Sequence, residues 1–300
     1  MKIRVISLLL LTIMLVVPSY AKIKVVTSAS NLADITRNIG GDLVSVTSLA
    51  RPTEDIHFVE PRPSFVAKLK DADVVVVYGM GFDQWMRPLI DNARNKKIVQ
   101  GGPGYVDASV GIKKREVPAG KIDMSMGEIH PLGNPHYLLD PENAKIVARN
   151  ILGGLIRVSP KDENKFRSNY SRFLSELDSA INKWEGILQP FKGQPVVTYH
   201  KSWIYFTGRF GLEDAGTIEP KPGIPPSPSH VSKLIQAMKR EKVKVIMMET
   251  FYPQKFPKLI AKETGAEICV LPYEVGAVKG ADSYIKMIDY IVHKIAAALK

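Results

Sequence analysis

Three histidines stand where the side chains of two halves of an α/β chain can meet. His57 lies in Asp55-Ile56-His57-Phe58-Val59-Glu60, His136 ends Gly133-Asn134-Pro135-His136, and His200 directly follows an apolar run ending at Tyr199. Neutral imidazoles suit zinc and other transition ions, whereas calcium and magnesium prefer oxygen donors. Glu249 and Glu274 also follow apolar runs, so either carboxylate, or water, can be drawn as a fourth ligand. Separations of tens of residues match no short metal motif, and a single histidine is more often a hydrogen-bonded structural residue. What joins the three is position, since all occupy loops at the same end of the expected sheets, where open α/β folds bind ligands. His230 and His293 read as surface residues, and His130, six residues before His136, reads as a residue that can face the cleft or recruit metal and is not expected as a ligand. Cys269 is the one cysteine of the 300 residues, which excludes an intramolecular disulfide and a cysteine-based zinc site.

The elements that must position these residues follow from the pattern of apolar runs. Strands are expected at Ile23 to Thr27, Leu43 to Leu49, Asp73 to Tyr78 and Ile98-Val99, with helices at Leu32 to Ile39, Phe65 to Leu69 and Phe82 to Asn92. The run Val74-Val75-Val76-Val77 has no alternation, as expected of a parallel strand buried on both faces. A similar series follows later, with strands at Pro195 to Tyr199, Val243 to Met248 and Glu267 to Leu271. A helix from Pro228-Ser229 and a closing helix over Asp282 to Leu299 complete it. Pro141 opens a helix after His136. Between the halves, Phe166, Tyr170, Phe173, Leu177, Ile181, Trp184 and Leu188 recur at intervals of three and four. The spacing predicts one helix over Pro160 to Leu188, about 40 Å long, enough to tie two lobes together. Coiled-coil dimerisation is the weaker reading of that repeat. The expected division is a leader over 1–21, a first α/β lobe over 22–159, the linking helix over 160–188 and a second α/β lobe over 189–300.

The leader is legible as such. Lys2 and Arg4 precede an almost wholly apolar Val5 to Val17, and Ser19-Tyr20-Ala21 places small residues where a signal peptidase cuts. The apolar run is shorter than the roughly 20 residues of a spanning helix. No cysteine follows Ala21 to carry a lipoprotein anchor. Export to the periplasm is therefore expected. The formal charge of +11 invites a nucleic-acid partner, but the Lys and Arg are spread along the chain with acids nearby, so the charge reads as a solvated surface.

With these residues in view, the chain resembles the cluster A-I solute-binding proteins of zinc and manganese ABC importers over nearly all of its length beyond the leader. Glu54-Asp55-Ile56-His57-Phe58-Val59-Glu60-Pro61 is similar to that family's first histidine motif. His130-Pro131-Leu132-Gly133-Asn134-Pro135-His136-Tyr137-Leu138-Leu139-Asp140-Pro141 resembles the second and is the most specific match. Val197-Thr198-Tyr199-His200 resembles the third, and the proline-rich Glu219 to His230 has a counterpart as well. The resemblance implies two Rossmann-like lobes with parallel sheets, joined by one long rigid helix, with a metal between them. His57, His136 and His200 become the metal-binding histidines. The family usually places an Asp after the last strand. Here the segment reads Leu271-Pro272-Tyr273-Glu274-Val275-Gly276, so Glu274 is expected as the fourth ligand, with Glu249 accepting a hydrogen bond from a ligand imidazole. Manganese-type members tend to carry a carboxylate at the third position, so His200 points to zinc, with manganese or another divalent ion as the alternative.

The expected function is capture of that ion by a monomer and its delivery to the membrane permease of an ABC importer, without catalysis. A secreted zinc hydrolase and an adhesin are the rival readings, and fold alone does not separate them. Mass spectrometry of the periplasmic fraction is expected to show a mature chain beginning at Lys22. An intact Met1 start there would contradict the leader.

Overall fold

Four consecutive valines, all buried, make the centre of the first sheet: Val74–Val77 is a strand with no solvent-facing side. The computed structural model of the chain describes residues 21–120, 130–221 and 223–300, so the leader lies outside the described residues. The first sheet is built from β1 (Ile23–Thr27), β2 (Val44–Ser48), β3 (Val74–Val77) and β4 (Tyr105–Asp107) in the order β2-β1-β3-β4. All its pairings are parallel. The second contains β5 (Pro195–Thr198), β6 (Glu213–Thr217), β7 (Val245–Glu249) and β8 (Glu267–Leu271) in the order β6-β5-β7-β8, again all parallel. The two sheets share one topology. Parallel pairing forces crossovers, and helices supply them: α1 (Ser30–Gly40), α2 (Pro63–Lys70), α3 (Met86–Ala93) and α4 (Pro141–Val158) on the first lobe. On the second are α6 (Ile204–Phe210), α7 (Pro228–Glu241), α8 (Lys255–Thr264) and α9 (Tyr284–Leu299).

The linking helix is α5 (Glu163–Leu188). Pro160–Asp162 forms a 3-10 turn instead of the expected first helical turn, because the Ser159 hydroxyl donates to the Asp162 carboxylate at 2.6 Å and does not cap the backbone. The buried stripe of α5 is Phe166, Phe173, Leu177, Ile181, Trp184 and Leu188. It packs on α1 and α4 of the first lobe and on α9 of the second, and one apolar core runs through both lobes beneath it. Polar ties reinforce it. The Asn169 amide donates to the Ile39 carbonyl, and Trp184 Nε1 donates to Asp289.

Two strands differ from expectation. Ile98 is buried in a turn, and the fourth strand of the first lobe lies at Tyr105–Asp107. Gly102 and Gly104 make that turn possible, since a Cβ at Gly104 would sit 2.0 Å from the Asp73 carbonyl oxygen. In the second lobe, β6 has the sequence Glu-Asp-Ala-Gly-Thr and pairs only with β5. An edge strand with one β-branched residue carries almost no signal of its own.

Phe173 is 2 % exposed at the middle of the linking helix. Phe173→Ala is expected to cost roughly 3–5 kcal/mol, read as a lower urea midpoint that shifts the fluorescence and far-ultraviolet transitions of both lobes together.

Candidate metal centre

Each histidine arrives on a different short element at the carboxyl edge of a sheet. His57 sits in a 3-10 turn, Ile56–Phe58, that follows β2; His136 precedes another, Tyr137–Leu139, that leads into α4; His200 follows β5. In the first turn, the Asp55 carboxylate accepts the backbone N–H of His57. In the second, the Asn134 side chain accepts the N–H of His136. The Asn134 amide in turn donates to the Lys201 carbonyl, and the Tyr205 hydroxyl donates to the Asn134 carbonyl, so the His136 loop is fastened to the second lobe.

The structure brings the three together. One ring nitrogen from each of His57, His136 and His200 lies within 4.8 Å of the others, and among the described residues this is the group fit to hold a metal ion. The ring centroids are 5.2, 5.3 and 5.5 Å apart. His136 and His200 are each 3 % exposed. Phe82 packs edge-on against His57 and His136, and Tyr252 stacks on His200.

The outer nitrogens are all engaged. His57 Nδ1 lies 2.7 Å from Asp55, His136 Nδ1 lies 2.7 Å from the Tyr273 hydroxyl, and His200 Nδ1 lies 2.8 Å from Glu219. A carboxylate can only accept, so the proton of His57 and of His200 belongs on Nδ1. The Tyr273 oxygen can accept from His136 in the same sense. Each Nε2 is then a lone pair facing the centre, the arrangement in which outer partners fix a ligand's tautomer and direction.

Charge is distributed unevenly around the ring. Burial depresses the His136 pKa, helped by the positive charge of His57 and His200. Burial acts the same way on His200, but its hydrogen bond to Glu219 and the charges of Glu249, Glu219 and Asp55 overcome it and raise the pKa. Burial works to raise the Asp55 pKa, and the hydrogen bond and charge of His57 outweigh it, so Asp55 stays ionised.

The fourth position departs from expectation. Glu274 is not among the converging groups: its carboxylate accepts from the Ser30 hydroxyl at 3.0 Å, the Asn31 backbone at 2.6 Å and the Tyr78 hydroxyl at 2.7 Å. These partners all come from the first lobe, so Glu274 is an interlobe tie, and its neighbour Tyr273 is the residue that meets the outer nitrogen of His136. Burial lifts the Glu274 pKa to about 7 against those hydrogen bonds. Glu249 is fully buried at the end of β7, but neither oxygen has a hydrogen-bond partner, so it accepts nothing from a ligand imidazole. Burial lifts its pKa to about 7, although the His200 charge and the Ser202 hydroxyl favour the ionised form.

Sequence reasoning did not find Asp55, Tyr273 or Glu219 as orienting groups. Asp55, two residues from His57, was within reach of it; Glu219 and Tyr273 were not, because each depends on which loops meet. His130 is also at the site, with Nε2 only 3.1 Å from Nε2 of His57. Burial pushes its pKa down to about 4, together with the charges of His57 and His200. His293 is exposed, whereas His230 is partly buried and its Nε2 lies 2.9 Å from the Thr217 carbonyl oxygen.

Comparison with known proteins agrees with this architecture. Residues 25–298 match the family described as ZnuA, zinc-uptake complex component A, periplasmic. The chain belongs to this family. Among curated relatives, the manganese ABC transporter substrate-binding lipoprotein PsaA of Streptococcus pneumoniae is 28 % identical, covering 93 % of this chain and 89 % of the relative. The manganese-binding lipoprotein MntA of Halalkalibacterium halodurans is 25 % identical over 92 % and 88 % of the two chains. Among solved structures, a zinc-bound 138–173 deletion mutant of ZnuA superposes with a TM-score of 0.78 at 27 % identity, covering 93 % of this chain and 98 % of that one.

Replacing Glu274 by Ala strands two buried donors, the Asn31 N–H and the Tyr78 hydroxyl, while the Ser30 hydroxyl keeps the Val275 carbonyl. It is expected to cost about 2 kcal/mol of stability in urea unfolding, while one metal ion per chain is still bound in equilibrium dialysis. Loss of that ion would return Glu274 to the centre.

Proposed function

We propose that the chain is the extracytoplasmic solute-binding component of an ABC-type importer, a monomer that captures a divalent transition ion between its lobes and passes it to a membrane permease. The observation that carries this reading is the convergence of three imidazoles within 4.8 Å, each with its outer nitrogen engaged. Such a ring of imidazole nitrogens suits a transition ion. Family membership and the names of relatives from metal importers support the transport role.

Zinc is the ion we propose. Relatives named for manganese and a structure named for zinc are about equally similar, so the donor set must decide. Carboxylate oxygen suits manganese, whereas imidazole favours zinc, and the converging group contains no carboxylate. Export through a cleaved leader is proposed on the pattern of residues 1–21. The relatives named as lipoproteins differ here, since the only cysteine is the buried Cys269 on β8.

Purified chain is expected to bind one zinc ion and to prefer it over manganese in competition dialysis. Alanine in place of His57, His136 or His200 removes most of that affinity. Glu219→Gln, which leaves the imidazole ring but weakens its acceptor, is expected to lower affinity by roughly 10- to 100-fold. Equal affinity for manganese and zinc would reverse the choice of ion.

Acid has a defined sign. The His200 pKa is raised, so protons compete with the ion for its lone pair increasingly as the pH falls. Affinity then falls as pH drops, by about tenfold per unit for one displaced proton. His136, whose pKa is depressed, adds nothing until lower pH. Zinc titrations with a chelator between pH 8 and pH 5 would show this, and a flat profile would mean that His200 is not a ligand.

A further inference from the structure

We propose that His130 supplies a fourth imidazole nitrogen to the ion, closing an all-nitrogen coordination sphere. The inference rests on the metal-holding reading of His57, His136 and His200 and deepens it.

His57 Nδ1 is committed to the ionised Asp55, so its Nε2 offers only a lone pair. His130 presents Nε2 to that same atom at 3.1 Å. In the ion-free site the two can coexist only with a proton between them, donated by His130. When the ion takes the His57 lone pair, that arrangement ends. The proton of His130 must then move to its other nitrogen or the ring must leave. An acceptor for the first course is at hand: the Gly81 backbone lies on the Nδ1 side of the ring, with Nδ1 3.8 Å from where a Gly81 Cβ would stand. With Nδ1 protonated, His130 Nε2 becomes a second lone pair beside His57.

The spacing fits. Zinc–nitrogen bonds of about 2.0–2.1 Å put neighbouring nitrogens of a tetrahedron about 3.3 Å apart. The 3.1 Å between these two nitrogens is close to one such edge. His130 stands on the His57 side, outside the set of nitrogens within 4.8 Å of one another, so it completes the sphere by turning about its own side-chain bonds. Phe82, which already packs on His57 and His136, also meets the His130 ring edge-on. Among the described residues no carboxylate joins the three histidines. Glu274 is held by three first-lobe donors, and Glu249 lies outside the group.

The test uses the full mature chain loaded with zinc(II) or cobalt(II). X-ray absorption of the zinc form is expected to count four imidazoles, and three in His130→Ala. That variant still binds one zinc, with affinity lowered roughly tenfold or more. In the cobalt form, thiocyanate changes the visible ligand-field band of His130→Ala, which has an open position, and leaves the unaltered chain unchanged. His130→Gln, which keeps a polar side chain at the site, is expected to behave as the alanine variant does and guards against a folding defect. Three imidazoles in the unaltered chain, or a variant with unchanged zinc affinity and cobalt band, overturns the role of His130 alone. Failure of the unaltered chain to bind zinc overturns the three-histidine reading and this one with it.

Discussion

Lone pairs turned towards one point are the constraint on which the site depends. Asp55, Tyr273 and Glu219 engage the outer nitrogens of His57, His136 and His200, so the inner nitrogens converge as acceptors in a space walled by Phe82 and Tyr252. Acceptors that face one another repel, and a cation placed between them turns that repulsion into attraction. The rest of the molecule can be understood as the scaffold that keeps this unfavourable arrangement from relaxing.

Much of the scaffold is repetition. Two four-stranded parallel sheets with the same strand order place their carboxyl edges towards each other, and each supplies histidines from the loops beyond those edges. Strand ends in a parallel sheet are fixed by the hydrogen-bond ladder, so a residue one or two positions past the last pair has little freedom. His200, two residues beyond β5, is such a residue. The orienting groups follow the same rule. Glu219 lies two residues past β6 and Tyr273 two past β8.

Much of this was legible in the sequence because burial on both faces leaves an unmistakable trace. Val74–Val77 and the heptad-like stripe of α5 could hardly be anything else. The three histidines were legible through their place after strands and through motif resemblance. What was not legible depended on partners distant in the chain. Glu274 looks like a ligand in its loop, yet Ser30, Asn31 and Tyr78, some 200 or more residues earlier, claim its oxygens. Tyr273, beside it, does meet a histidine of the site, at the outer nitrogen of His136. A one-residue difference along a chain leaving a strand reverses the side on which a side chain emerges, and no local pattern reveals which of two neighbours faces the histidines. The strand at Tyr105–Asp107 was missed for a related reason, since Ile98-Val99 is more apolar but is folded into a glycine turn.

The ties between the lobes bear on how an ion enters and leaves. Hinge closure requires a few residues that can absorb a large change in φ and ψ. Here the linking segment is a continuous helix of 26 residues, buried along one stripe against both lobes. Further ties cross the interface away from it. Glu274 binds the start of α1, the Tyr284 backbone donates to Asp34, and the Tyr284 hydroxyl donates to the Leu138 carbonyl at 2.6 Å. Swinging the lobes apart would break all of these in a dry interior, where each unpaired group is expensive. Local rearrangement is cheaper. The loops that bear His57 and His136 are each held by a few hydrogen bonds. Exchange by rearrangement of those loops, with the two lobes acting as a fixed frame around them, breaks far fewer buried contacts than opening the interface.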